Sequence, residues 1–131
     1  NSEKVLESHK IYYHKHAEQE RIRVSVWRKA NPEKVNAYKA IRRATQKKVN
    51  DIHTLDDRWV LEEMYSLAKL RGEMFEFKWH VDHIVPLSKG GRHCLTNLQV
   101  VPEYWNLSKG NRNTDLFISA INGEQDDKDS K

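Results

Sequence analysis

With 131 residues, 37% of them hydrophobic and 32% charged, the chain has room for one compact domain with an extension and only a small core. No apolar run approaches the roughly 18 residues that cross a bilayer, no charged-then-apolar stretch reads as a signal segment, and the one cysteine, Cys94, excludes an internal disulfide and a CxxC zinc pair. A soluble protein with no membrane partner is therefore expected, and the first residue, Asn1 rather than Met, predicts a processed or truncated piece of a longer product.

Residues 3–49 read as helix, although Val5, Leu6, Ile11, Ile22, Val24 and Val26 form no continuous apolar stripe. A 14-residue echo sets Tyr13 of "YHKHAEQE" on Trp27 of "WRKANPEK". In "ANPEK", Asn31 suits an N-cap, Pro32 the first helical position and Glu33 the first turn, so two helices are predicted, roughly 3–29 and 32–49. Helices with so little apolar surface are not stable alone. The rest of the protein, a second chain or a duplex must order them. His9, His14 and His16 read as a solvated face.

Charge within this arm is strongly skewed. Arg21, Arg23, Arg28, Lys29, Lys34, Lys39, Arg42, Arg43, Lys47 and Lys48 are opposed only by Glu33, a local charge of +9 within a chain of net +4. Such a block seeks a polyanion, because each neutralised phosphate releases counterions. Double-stranded DNA is the expected partner of these ten residues.

Thr54 and Asp57 stand in capping-box spacing before an amphipathic helix over about 57–71, marked by Val60, Leu61, Met64, Leu67, Ala68 and Leu70, with Gly72 as its stop. "MFEFKWHVDH" then alternates, placing Phe75, Phe77, Trp79 and Val81 on one face of a strand. "SKGGRH" is a turn, "LQVV" a second strand, Pro102 opens a short helix to about Lys109, and a last helix covers about 114–121. Cys94, beside His93, reads as incidental, and "GEQDDKDSK" as a disordered acidic tail.

A strand–strand–helix hairpin folds Asp82, His83, Asn97 and Asn106 towards one another. Phosphodiester hydrolysis needs a base to activate water and a cation to take up charge on the phosphorane. His83 suits the base, since imidazole titrates near working pH. Asp82 and Asn106 offer hard oxygen ligands that select Mg2+ or Mn2+. Asn97 suits a hydrogen bond that holds His83 in orientation and tautomer. His80 shares the strand face with Asp82 and is a further candidate for a ligand or a DNA contact. Neighbouring residues of a flat strand point to opposite faces, so bringing Asp82 and His83 together predicts an end or bend there, consistent with nearby Pro86.

"VDHIVPLSKGG", "NLQVV" and "NLSKGNR" resemble the HNH endonuclease family, over about residues 57–113. The spacing of His83, Asn97 and Asn106 is similar to that of the HNH domain of CRISPR effector nucleases. The resemblance implies an α+β, ββα-metal core. It also implies one divalent ion on Asp82 and Asn106, His83 as general base, and Lys109 in phosphate contact or charge stabilisation. Many relatives carry two CxxC pairs for a structural zinc. Here "VVPEYWN" stands where one pair often sits, which resembles the zinc-free, phage-encoded branch and implies a host-cell cytoplasmic setting.

The expected organisation is a basic helical DNA-binding arm at 1–50, an HNH core at 51–122 and an acidic disordered tail at 123–131. The expected activity is metal-dependent DNA cleavage, as a nick or a double-strand cut. Since one active site cuts one strand, a double-strand cut calls for a homodimer or two events. The rival reading is a nuclease-derived DNA-binding or packaging module that cuts little.

Overall fold

The structure, a computed structural model, describes residues 1–129; Ser130 and Lys131 lie outside the described residues. Five helices and two strands follow in order: α1 Ser2–Ala30, α2 Pro32–Gln46, α3 Leu55–Phe75, β1 Trp79–His83, β2 Leu98–Pro102, α4 Glu103–Lys109 and α5 Thr114–Asp129. Two short 3-10 turns, Leu87–Lys89 and Leu95–Asn97, lie between the strands. The fold is α+β, with a two-stranded antiparallel sheet followed by a helix, as the ββα expectation required. Among the described residues no helix is long and apolar enough to cross a membrane.

The break between α1 and α2 falls at Asn31, because Pro32 lacks the N–H that a continuous helix would use. The expected side-chain cap of α2 by Asn31 does not form. Its Nδ2 instead donates 2.9 Å back to the Trp27 carbonyl, which also accepts from the Asn31 backbone N–H at 3.0 Å. α1 buries none of its residues. At 1.5 Å per residue it extends roughly 43 Å.

Within the expected arm at 1–50, α2 packs on the core. Ala37, Ala40 and Ala44 are buried on one face of α2, with half-buried Ile41 between them, and that face meets α3. The i, i+3, i+4, i+7 spacing of these four positions is a helical stripe of three alanines and one isoleucine. The core centres on Ala37, Ile52, Leu61 and Leu98, with Met64, Tyr65, Val81 and Leu95 packed around it. Burying Leu61 completely contributes about 2 kcal/mol.

Thr54 caps α3, its hydroxyl accepting from Asp57 N–H at 3.1 Å. Gly72 does not stop that helix. The following Glu73 and Met74 are good helix formers, an internal glycine costs only about 1 kcal/mol, and the chain turns at Glu76 with φ 61°. Phe75 is therefore helical and β1 starts at Trp79. Phe75, Phe77 and Trp79 still cluster, with ring centroids 5.7–5.9 Å apart.

Two turns close the sheet. In the first, Gly91 permits a close approach, since a Cβ there would lie 1.9 Å from the Val85 carbonyl oxygen. Pro102 then occupies the N-cap of α4, as predicted. Trp105 packs edge-on against buried Phe117 of α5 at 5.1 Å, so it joins α4 to α5. Tyr104 is exposed beside Phe77. α5 continues to Asp129, so the backbone at 123–129 is helical where a disordered tail was expected. That stretch holds no proline to interrupt the helix.

Candidate active site

β1 presents His80 and Asp82 to α4, and α4 answers with Asn106 and Lys109. Asn106 Nδ2 donates to His80 Nδ1 at 3.1 Å, and Lys109 Nζ donates to Asp82 Oδ2 at 2.7 Å. The match is geometric. Two residues along a strand rise about 6.6 Å and three along a helix about 4.5 Å, so one helix face spans one strand face. Glu103 closes the far end, with its carboxylate 3.1 Å from His80 Nε2.

Lys109 is 1% exposed, and its ammonium also donates to the His83 carbonyl at 2.7 Å. Lys109 is committed to the protein interior, where an unpaired ammonium would be costly and the Asp82 carboxylate offsets it. Gln99, opposite Asp82 in the sheet, donates to Asp82 Oδ2 at 3.3 Å and to Thr114 Oγ1 at 2.8 Å, tying the start of α5 into the same face.

Of the two expected alternatives the strand takes the first: it ends at His83 and does not bend before it. Both lie in regular register, opposite Gln99 and Leu98, and their side chains take different partners. Asp82 faces α4 and α5, whereas His83 Nε2 lies 2.9 Å from His93 Nδ1 in the loop. Burial lowers the His83 pKa below its ordinary value. The Asp82 charge opposes that, and Lys109, Lys47 and Arg43 add to the lowering. The basic end of α2 is thus close enough to act on the His83 ring.

Asn97 does not touch the His83 ring. Its Oδ1 accepts from Val85 N–H at 2.8 Å, and its Nδ2 donates to the carbonyls of Val85 at 3.0 Å and Arg92 at 2.8 Å. The amide is fully used in pinning the loop that follows His83. Its backbone carbonyl adds a bond from Ile84 N–H at 2.9 Å. The reason is register: Asn97 precedes the residue paired with His83, so it faces the loop, not the ring.

The structure brings Asp82, Asn106 and Lys109 onto one face and sets His83 beside them, facing His93. The ten basic residues of α1, α2 and the turn after α2 are all exposed, with Arg23 paired to Glu20. His93, Gln99, Thr114 and Glu103 were not singled out from sequence. A histidine four places before Asn97 was the available signal for the first of them.

Among the described residues no group of three or more His, Cys, Asp or Glu could hold a metal ion. Asp82 and Asn106 nonetheless fit a hard cation that keeps most of its waters. Asp82 Oδ1 has no hydrogen-bond partner among the described residues, and Asn106 spends its nitrogen on His80, which leaves its oxygen as the donor.

A β-hairpin with Asp-His at the end of its first strand, crossed by a helix carrying Asn106, defines the ββα-metal class. Residues 72–112 match the family described as HNH endonuclease. No curated protein and no solved structure matches the chain.

Proposed function

We propose that the protein is a divalent-metal-dependent HNH endonuclease that cuts double-stranded DNA, with Mg2+ or Mn2+ held by Asp82 and Asn106 and His83 as general base. The observation that carries this reading is the placement of Asn106 and Lys109 on the His80–Asp82 face, one residue before His83. When bound, the ion supplies positive charge against the phosphorane and the leaving oxygen. Asp82 and Asn106 orient it, and Lys109 holds the Asp82 carboxylate in place. His83, kept neutral by burial, takes the proton of the attacking water. Divergence of Asp82 and His83 suits in-line displacement, since attacking and leaving oxygens lie on opposite sides of phosphorus.

The exposed basic residues of α1 and α2 supply electrostatic grip, and Arg43 and Lys47 continue that surface up to His83. A phage-encoded enzyme in the host cytoplasm is the setting this reading favours.

Supercoiled plasmid incubated with Mg2+ tests the proposal. The parent should give nicked or linear product, EDTA should abolish it, and Mg2+ or Mn2+ should restore it. His83→Ala should lower the rate about 10²–10⁴-fold with DNA affinity unchanged, the usual worth of a positioned base. Full activity in excess EDTA ends the metal reading, and a His83→Ala rate within about threefold of the parent ends the base reading.

A further inference from the structure

His83 offers two ring nitrogens, and one of them is already engaged. Its Nε2 lies 2.9 Å from His93 Nδ1, with the ring planes at 57°. A single proton occupies that gap when both rings are neutral, and two arrangements follow. If His93 donates, His83 carries its proton on Nδ1 and has no lone pair left for water. If His83 donates from Nε2, its Nδ1 keeps a free lone pair. Only the second arrangement makes His83 a base.

We infer that His93 is the positioning residue for His83, accepting the Nε2 proton and so holding His83 in the tautomer whose Nδ1 takes the proton of water. This rests on the reading of His83 as the base.

His93 is built as a fixed partner. It is 1% exposed, its backbone N–H donates to the Val49 carbonyl at 2.9 Å, and its backbone carbonyl accepts from Asp51 N–H at 3.0 Å. Those two bonds make a bridge between Asn50 and His93 that locks the backbone on both sides. Gly91 and the Asn97 bond to the Arg92 carbonyl shape the loop immediately before it. Asn97, the other candidate for holding His83, spends its amide on main-chain groups.

The hydrogen bond also survives the reaction step. When Nδ1 takes a proton, His83 Nε2–H still donates to His93 Nδ1, and no group has to turn. His93 gains and loses nothing in the step. Its own Nε2 is buried with no partner among the described residues in either arrangement, so that cost does not choose between them.

The test is the tautomer of each ring, read by long-range 1H–15N correlation on the metal-free full chain at pH 8, where both rings are neutral. His83 should show an unprotonated Nδ1 and a protonated Nε2, and His93 an unprotonated Nδ1. His93→Phe removes the acceptor while keeping a ring, so His83 should become a mixture of tautomers. Cleavage kcat should then fall about tenfold or more with DNA affinity unchanged. In His93→Asn the side-chain oxygen lies close to where Nδ1 was, and most of the His93→Phe loss should be recovered. A parent His83 protonated on Nδ1 overturns the inference, as does a His93→Phe variant with parental tautomer and kcat. Should His93→Phe fail to fold, the parent spectrum and His93→Asn still decide. If His83→Ala cleaves like the parent, the base reading fails, while the spectrum reports the His83–His93 bond independently.

Discussion

Lys109 and Asp82 form an ion pair of 2.7 Å in which the lysine side chain is 1% exposed and the aspartate 17%. The pair joins the last turn of α4 to the end of β1, and the same ammonium reaches the His83 carbonyl. The carboxylate expected to hold a catalytic cation is thus already anchored by a cation of the protein.

Removing one partner of such a pair leaves the other charge uncompensated. Lys109→Met should therefore destabilise the protein by about 3 kcal/mol in urea unfolding. The double variant with Asp82→Asn should lose less than the sum of the two single changes. Raising Mg2+ should stabilise Lys109→Met more than the parent, because an ion on Asp82 replaces the lost charge. A Lys109→Met variant as stable as the parent would remove the pair from the fold's support.

Asn97→Ala deletes three hydrogen bonds to main-chain atoms of Val85 and Arg92. At about 1 kcal/mol each it should cost roughly 3 kcal/mol. Asn97→Asp keeps the bond from Val85 N–H and loses both donors, so it should fall between parent and Ala. Hydrogen exchange should show faster exchange at the Val85 and Gly91 amides. Unchanged exchange at both would mean that Asn97 does not hold the loop.

Burial pushes the His93 pKa from 6.5 down to about 4, with the positive form of His83 and Arg43 acting in the same direction. The unfolded chain binds a proton at its ordinary value of 6.5 while folded His93 stays neutral. The stability tied to this is therefore full above pH 6.5 and is lost as pH falls towards 4, at about 1.4 kcal/mol per unit for one proton. His93→Phe has no such proton to bind. Between pH 6 and 5 the parent should lose about 1 kcal/mol more than the variant in urea unfolding. Identical slopes would show that His93 is not held neutral by the fold.

Deleting residues 1–30 should leave a folded protein, since α1 buries no residue, whereas deletion through residue 49 removes Ala37, Ala40 and Ala44 from the core. The shorter deletion takes away Arg21, Arg23, Arg28 and Lys29. For every phosphate that these residues neutralise in the full chain, the dependence of log affinity on log salt should flatten by about 0.9. Salt titrations of both forms measure this. An unchanged slope with an altered mass in light scattering would assign α1 to assembly.

Features that rest on covalent geometry and local hydrogen bonding were legible in the sequence. Pro32 divides α1 from α2, Thr54 starts α3 and Pro102 starts α4, because each restricts dihedral angles or satisfies a donor within its own turn. The letters Asp82, His83, Asn97 and Asn106 could be read there too, with the hairpin that carries them. Which atoms those side chains meet is a property of the folded chain alone. The alanine stripe of α2 has too little apolar bulk to announce a core face until α3 covers it. Lys109 looks like any exposed lysine until α4 crosses β1, and the folded loop turns the Asn97 amide to main-chain groups while it brings buried His93 to the His83 ring. Partners 10 or 27 residues apart depend on the path of the chain between them, and that path is chosen by packing.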